Sequence, residues 1–176
     1  TKWKKLLHSF LPCKPIIPVV DMSVHISDAD FFHSIGLAIL IASVSTSYRI
    51  LFVSNIPIWI DIGPKESFCS IVCKIWSFAQ YRSKSNFDCA LSLLREGITH
   101  SEESSCVFVI FSHDFSFDLS GFESCRVILW NIGFSSSDCL DLSLLNPNVF
   151  LFSGCSPALL SFFFSDNADF SNGTYG

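Results

Sequence analysis

Oxygen ligands mark the ends of two apolar segments in this chain. VVDMSVHIS, Val19 to Ser27, passes from apolar residues into Asp21-x-Ser23, and CVFVIFSHD, Cys106 to Asp114, closes on Ser112, His113 and Asp114. A further hydroxyl, Ser85, lies in KSNFDCALSLL. Carboxylate and hydroxyl oxygens suit a hard cation such as Mg²⁺, which takes near-octahedral oxygen coordination and keeps several waters. Asp21, Ser23 and Asp114 are therefore candidate metal ligands. His25 stands where a second serine would complete the first loop, and His113 adjoins Asp114. Two histidines with a carboxylate would suit zinc or iron. Three arrangements stay open. In the first, these oxygens and water hold a divalent cation. Alternatively the site is degenerate, with hydroxyls capping helices, Asp21 accepting backbone and serine hydrogen bonds, and His25 filling the ion's space. In the third, His25 and His113 join Asp21 or Asp114 around a softer metal.

The elements that must position these residues are legible. Ile16 to Val20 is wholly apolar and closed by Asp21, as in a central strand covered on both faces. Ser27 and Asp28 supply a helix start, and the spacing predicts a helix over 28–44 that is apolar nearly all round and hence buried. Strands are predicted at 48–53 and 58–62, and helices at 67–79 and 87–97, the latter after the cap residues Ser85 and Asn86. Phe68, Ile71, Val72, Ile75, Trp76 and Ala79 form the apolar stripe of the first of these. CVFVIF and CRVILW read as strands at 106–111 and 125–130, and a last strand at 149–152 precedes a helix near Ser156 and Pro157. At the start, Trp3, Leu6, Leu7 and Phe10 give a short amphipathic helix, ended by Pro12 and Pro15. The expected organisation is one domain over 1–165, with 1–14 as helix and linker and 166–176 as a loose tail. Alternating helices and continuous apolar strands indicate an α/β domain with a mostly parallel sheet. Ligands of such sheets sit beyond the carboxyl ends of the strands, where Asp21 and Ser112–Asp114 lie.

Composition narrows the chemistry. The 176 residues are 49% hydrophobic and 15% charged, with nineteen Phe and four Trp. A net charge of −5 offers no basic field to a phosphate backbone, which argues against nucleic-acid binding. The basic cluster Lys2, Lys4 and Lys5 reads as a solvated helix turn. Most of the eight cysteines lie in apolar runs and are expected to be reduced and buried, in an intracellular setting. The longest apolar run, 35–42, is far short of the roughly 20 residues of a membrane span. No Gly-rich phosphate loop, Gly-x-Ser-x-Gly elbow or His-Glu-x-x-His occurs. Cys155, in SGCS after the last strand, is the one thiol placed for nucleophilic chemistry, and packing at the helix start explains it as well. His33 lies on the apolar helix as a core residue, while His8 and His100 look solvated. The expected activity is non-enzymatic.

With both strand ends and the hydroxyl loop in view, the chain resembles the von Willebrand factor A (vWA) family. The first loop Asp21-Met22-Ser23-Val24-His25 matches that family's Asp-x-Ser-x-Ser, Ser85 stands for its second-loop Thr, and IFSHD stands for the acidic end of its fourth strand. FSHDFSFD, ILWNI and LFSGCSPALLSFFF are similar to motifs of an intracellular branch found in plants, microbes and large DNA viruses, related to the A-domain of Ro-type RNA-binding proteins. The resemblance covers about Pro15 to Phe164. It implies a three-layer Rossmann-like fold and a metal-ion-dependent adhesion site for Mg²⁺, weak or lost here, in a protein-interaction module. His25 in place of serine removes one ligand, and an extra residue leaves either His113 or Asp114 for the aspartate's place. Between the strands at 106–111 and 125–130 the crossover is too short for the family's helix. Phe115, Phe117, Leu119 and Phe122 then either cover the bared sheet or present it to a partner. That partner is another protein, a second copy, or a larger assembly such as a virus particle. Association with RNA rests on the family analogy alone.

Overall fold

The computed structural model describes residues 15–80, 82–97, 106–133 and 147–154. Six strands and three helices run in the order β1 (Ile16–Asp21), α1 (Asp28–Val44), β2 (Arg49–Val53), β3 (Ile58–Asp61), α2 (Phe68–Ala79), α3 (Phe87–Gly97), β4 (Val107–Phe111), β5 (Arg126–Asn131) and β6 (Val149–Ser153). The sheet order is β3-β2-β1-β4-β5-β6, and every neighbouring pair is parallel except β2–β3. The expected α/β class with a mostly parallel sheet is what forms. The expected N-terminal helix, the helix after β6, the tail and Cys155 lie outside the described residues.

Strand side chains divide by parity. Val20, Phe52, Val109 and Trp130 join one core cluster with residues of α1 and α2, while Val19, Leu51, Ile110 and Leu129 join another with Ala90, Leu91 and Leu94 of α3. Successive side chains of a strand point to opposite faces, so continuous apolar strands are the sequence signature of a sheet packed on both. Pro18 is tolerated in the central strand because of where its missing donor would point. The Ile16 N–H and C=O bond to the Ser45 and Ser47 hydroxyls on the β2 side, and Pro18, two residues on, faces the same way just before β1–β2 pairing begins at Val19.

The helices start where their caps predict. Ser27 accepts the Asp30 N–H at 3.2 Å, Ser67 the Ser70 N–H at 3.1 Å, and Asn86 the Cys89 N–H at 3.1 Å. Ahead of α2, Glu66 accepts the Gly63 N–H at 2.9 Å, the Ser70 hydroxyl at 2.8 Å and Lys74 Nζ at 3.0 Å, and these donors hold its carboxyl down at about 2. On α2 the predicted stripe is only partly internal. Ile71, Ile75 and Ala79 are buried, whereas Phe68 and Trp76 are exposed, because one turn of a helix cannot face the sheet all round. His33 is likewise exposed rather than in the core, and so are Cys69, Cys73 and Cys89, while Cys106 and Cys125 are buried. All five are free thiols.

β4 and β5 pair in parallel without an intervening helix. Instead the connection folds back on the sheet. Phe122 is buried at 1% exposure with its ring edge-on to Phe108, and half-buried Phe115, Phe117 and Leu119 pack on the same cluster as α3. Of the two roles open to these residues, Phe122 takes the covering one. A side chain that fills the sheet face from within cannot also meet a partner, which corrects its expectation as a contact residue.

Candidate functional site

β1 is flanked by β2 on one side and β4 on the other, so the chain leaves it in opposite directions and a crevice opens at the strands' carboxyl ends. A cleft of about 770 Å³ occupies that crevice, lined among others by Asp21, Ser23, His25, Asn55, Lys84, Ser85, Asp114 and Phe117. Asp21, the last residue of β1, sits at its base with 4% exposure. Three segments donate to its carboxylate. The Ser23 N–H reaches Oδ1 at 2.8 Å, the Ser85 hydroxyl also reaches Oδ1, and the Ser112 hydroxyl reaches Oδ2 at 2.6 Å. Each hydroxyl has one proton to donate; a carbonyl also lies within reach of each, Val53 of Ser85 at 3.2 Å and Asp114 of Ser112 at 2.9 Å, but the shorter contact is to the carboxylate. Among the described residues no ion pair involves Asp21.

The other candidates divide. Ser23 keeps its backbone N–H on Asp21 while its Oγ accepts the His25 N–H at 3.2 Å, which tightens the first loop. Asp114 lines the cleft, but its carboxylate accepts the Ser116 N–H at 2.9 Å and so caps its own turn instead of facing Asp21. Its place beside Asp21 belongs to Ser112, which sequence reasoning passed over as a ligand although it opens the Ser-x-Asp at the strand end. His25 is exposed on the rim and does not fill an ion's space. His113 also lines the cleft, with Nε2 3.7 Å from Asp30 Oδ2 and its ring so close to Gly133 that any Cβ there would collide with it. Among the described residues no three His, Cys, Asp or Glu side chains converge as a metal site, so the nitrogen-containing arrangement has no geometry.

Arg82 is a second site residue that no motif announced. Its guanidinium donates to Asp28 Oδ1 at 2.6 Å, to the Ser23 carbonyl at 2.7 Å and to the Ile26 carbonyl, and it stacks over Phe31 at 4.6 Å. Three acceptors from residues 23–28 thus fix the loop that carries Ser23 and His25. On the opposite wall Phe87 and Phe117 stack with ring centroids 4.4 Å apart. The cleft therefore offers an apolar wall, a mixed-charge rim of Lys84, Asp88 and Asp114, and a buried acidic base.

The donor set tests poorly against Mg²⁺. One carboxylate and three hydroxyls are hard oxygens, but three of the roughly four lone-pair sites of Asp21 already receive donors, and Asp114 Oδ1 accepts the Ser116 N–H. An ion at Asp21 would compete with those bonds. No family model matches the chain, and no curated protein matches it. Among the described residues no helix is long and apolar enough to cross a membrane.

Proposed function

We propose that this chain is a vWA-like, three-layer domain that works as a protein-interaction module, with an adhesion-type site that has lost its metal. The observation that carries the reading is the Asp21 carboxylate at the switch point, satisfied by Ser23, Ser85 and Ser112 from three segments beneath an open cleft. In this reading Asp21 is an anchor that draws the three loops together, and the cleft above it receives the partner. A catalytic reading has less support. Among the described residues lining the cleft, no hydroxyl is hydrogen-bonded to a histidine ring, as an activated nucleophile would require.

Thermal melts with Mg²⁺ or Mn²⁺ after EDTA treatment test the metal half. A ligand specific to the folded state adds roughly 2.7 kcal/mol at a hundred times its dissociation constant. No saturable shift is expected at millimolar metal. A shift that Asp21→Ala abolishes would restore an ion-holding adhesion site. For the interaction half, proteins captured by the wild-type chain are compared with those captured by Lys84→Glu, a change on the cleft rim. Selective loss of the same species in the variant supports the cleft, and equal recovery rejects it.

A further inference from the structure

α2 carries two thiols on the side it turns away from the core. Ile71, Ile75 and Ala79 bury the opposite side with residues of the sheet, while Cys69 and Cys73 are exposed and free. Four residues at about 100° each place the two cysteines about 40° apart around the helix and one turn apart along it. Their Cβ atoms are therefore about 5–6 Å apart. A disulfide needs about 3.5–4.5 Å between Cβ atoms, so a regular helix holds this pair too far apart to oxidise on itself. An atom bonded between the two sulfurs fits instead. Taking about 2.3 Å for a metal–thiolate bond, a linear arrangement puts the sulfurs about 4.6 Å apart.

We propose that Cys69 and Cys73 form a two-coordinate site for a soft monovalent cation, with Cu⁺ as its type. Ligand chemistry comes first, since thiolates select soft ions such as Cu⁺. Coordination number comes next. Zn²⁺ takes four ligands in a closed site, and among the described residues no third His, Cys, Asp or Glu joins the pair. Glu66, three residues before Cys69, is already engaged: the Gly63 N–H and Lys74 Nζ reach its Oε2, and the Ser70 hydroxyl reaches its Oε1. Ser70 and Lys74, which follow the two cysteines in sequence, thus direct their polar atoms to Glu66. On binding, each thiol gives its proton to solvent and bonds the ion through sulfur, so two protons leave per cation. The remaining described thiols are placed differently. Cys89 is exposed on α3 with no second cysteine a turn away, and Cys106 and Cys125 are buried.

Titration of the reduced full chain with Cu⁺ under argon, against a coloured Cu⁺ chelator, tests the site, and native mass spectrometry counts the ions on each chain. The wild type is expected to withdraw one ion more than Cys69→Ser and one more than Cys73→Ser. Removing both cysteines together should cost no further ion, because the pair holds a single one, and Cys89→Ser should behave as wild type. Full retention of Cu⁺ in either single variant would overturn the proposal, as would an equal loss in Cys89→Ser, the mark of ordinary surface thiols. An ion shared between two chains would overturn it too, since a second copy would then supply the ligand. Zn²⁺ retention that depends on both cysteines would overturn the two-coordinate assignment.

Discussion

Asp21 concentrates the risk at this site, because among the described residues a nearly buried carboxylate is held by neutral donors. Asp21→Ala leaves the Ser23 N–H and the Ser85 and Ser112 hydroxyls without their acceptor. Loss of about 2–3 kcal/mol is expected, read as a lower urea midpoint at unchanged slope. Asp21→Asn keeps one carbonyl acceptor and should lose less, and an equal loss would show that the charge itself matters. Glu66 makes the opposite case of a carboxylate tuned by its surroundings at the surface. The Gly63 N–H, then Ser70, then Lys74 lower its pKa from 4.5 to about 2. A depressed folded-state value means that its stabilisation is complete above pH 4.5 and is lost as pH falls towards 2. The stability gap between wild type and Glu66→Gln should therefore close across that window, and a gap of constant size would refute the assignment.

Among the elements, the helix-free crossover from β4 to β5 is the part most specific to this chain. Four apolar residues spaced through it do the work of a helix, but unequally. Phe122→Ala should cost about 3–5 kcal/mol, as for a buried aromatic truncated in a packed core, whereas half-buried Phe115→Ala should cost about 1 kcal/mol. Equal effects in denaturant melts would mean that the segment covers the sheet loosely. The missing helix was legible from the length of the segment, and so were the other described elements, to within a residue or two. Ser27, Ser67 and Asn86 are strong local start signals, and wholly apolar strands have few alternatives in an α/β chain. The site was legible only in outline. Asp21 was readable because its type and its place after a strand carry the signal, and Ser85 because the resemblance marked a hydroxyl just ahead of the helix at 87–97. Side-chain direction was not, so Asp114 was taken for a ligand where Ser112 stands. Arg82 escaped notice because its three acceptors, Asp28 and the carbonyls of Ser23 and Ile26, lie more than fifty residues away in sequence. The Cys69, Cys73 and Trp76 exposures were missed for a related reason: apolar type alone does not say which helix face the sheet will take.

At the scale of the whole molecule, the acidic balance and the two-sided core leave few surfaces for function. Among the described residues the cleft is one, and the exposed Phe32–Trp76 pair of α1 and α2 is another. They lie on the same half of the domain, since α1 begins directly after the loop that Arg82 pins over the cleft. The central position of β1 also has a consequence in time. Its pairing with β2 uses nearby chain, but its other edge waits for β4, with Ile16 opposite Val107. A ribosome adds the roughly ninety residues between them in about 5–18 s. Throughout that interval an apolar strand has one unpaired edge, the condition under which chains join one another. Nascent fragments that stop before Val107 are expected to aggregate or to be held by chaperones, and fragments that extend beyond Asn131 are expected to escape both fates.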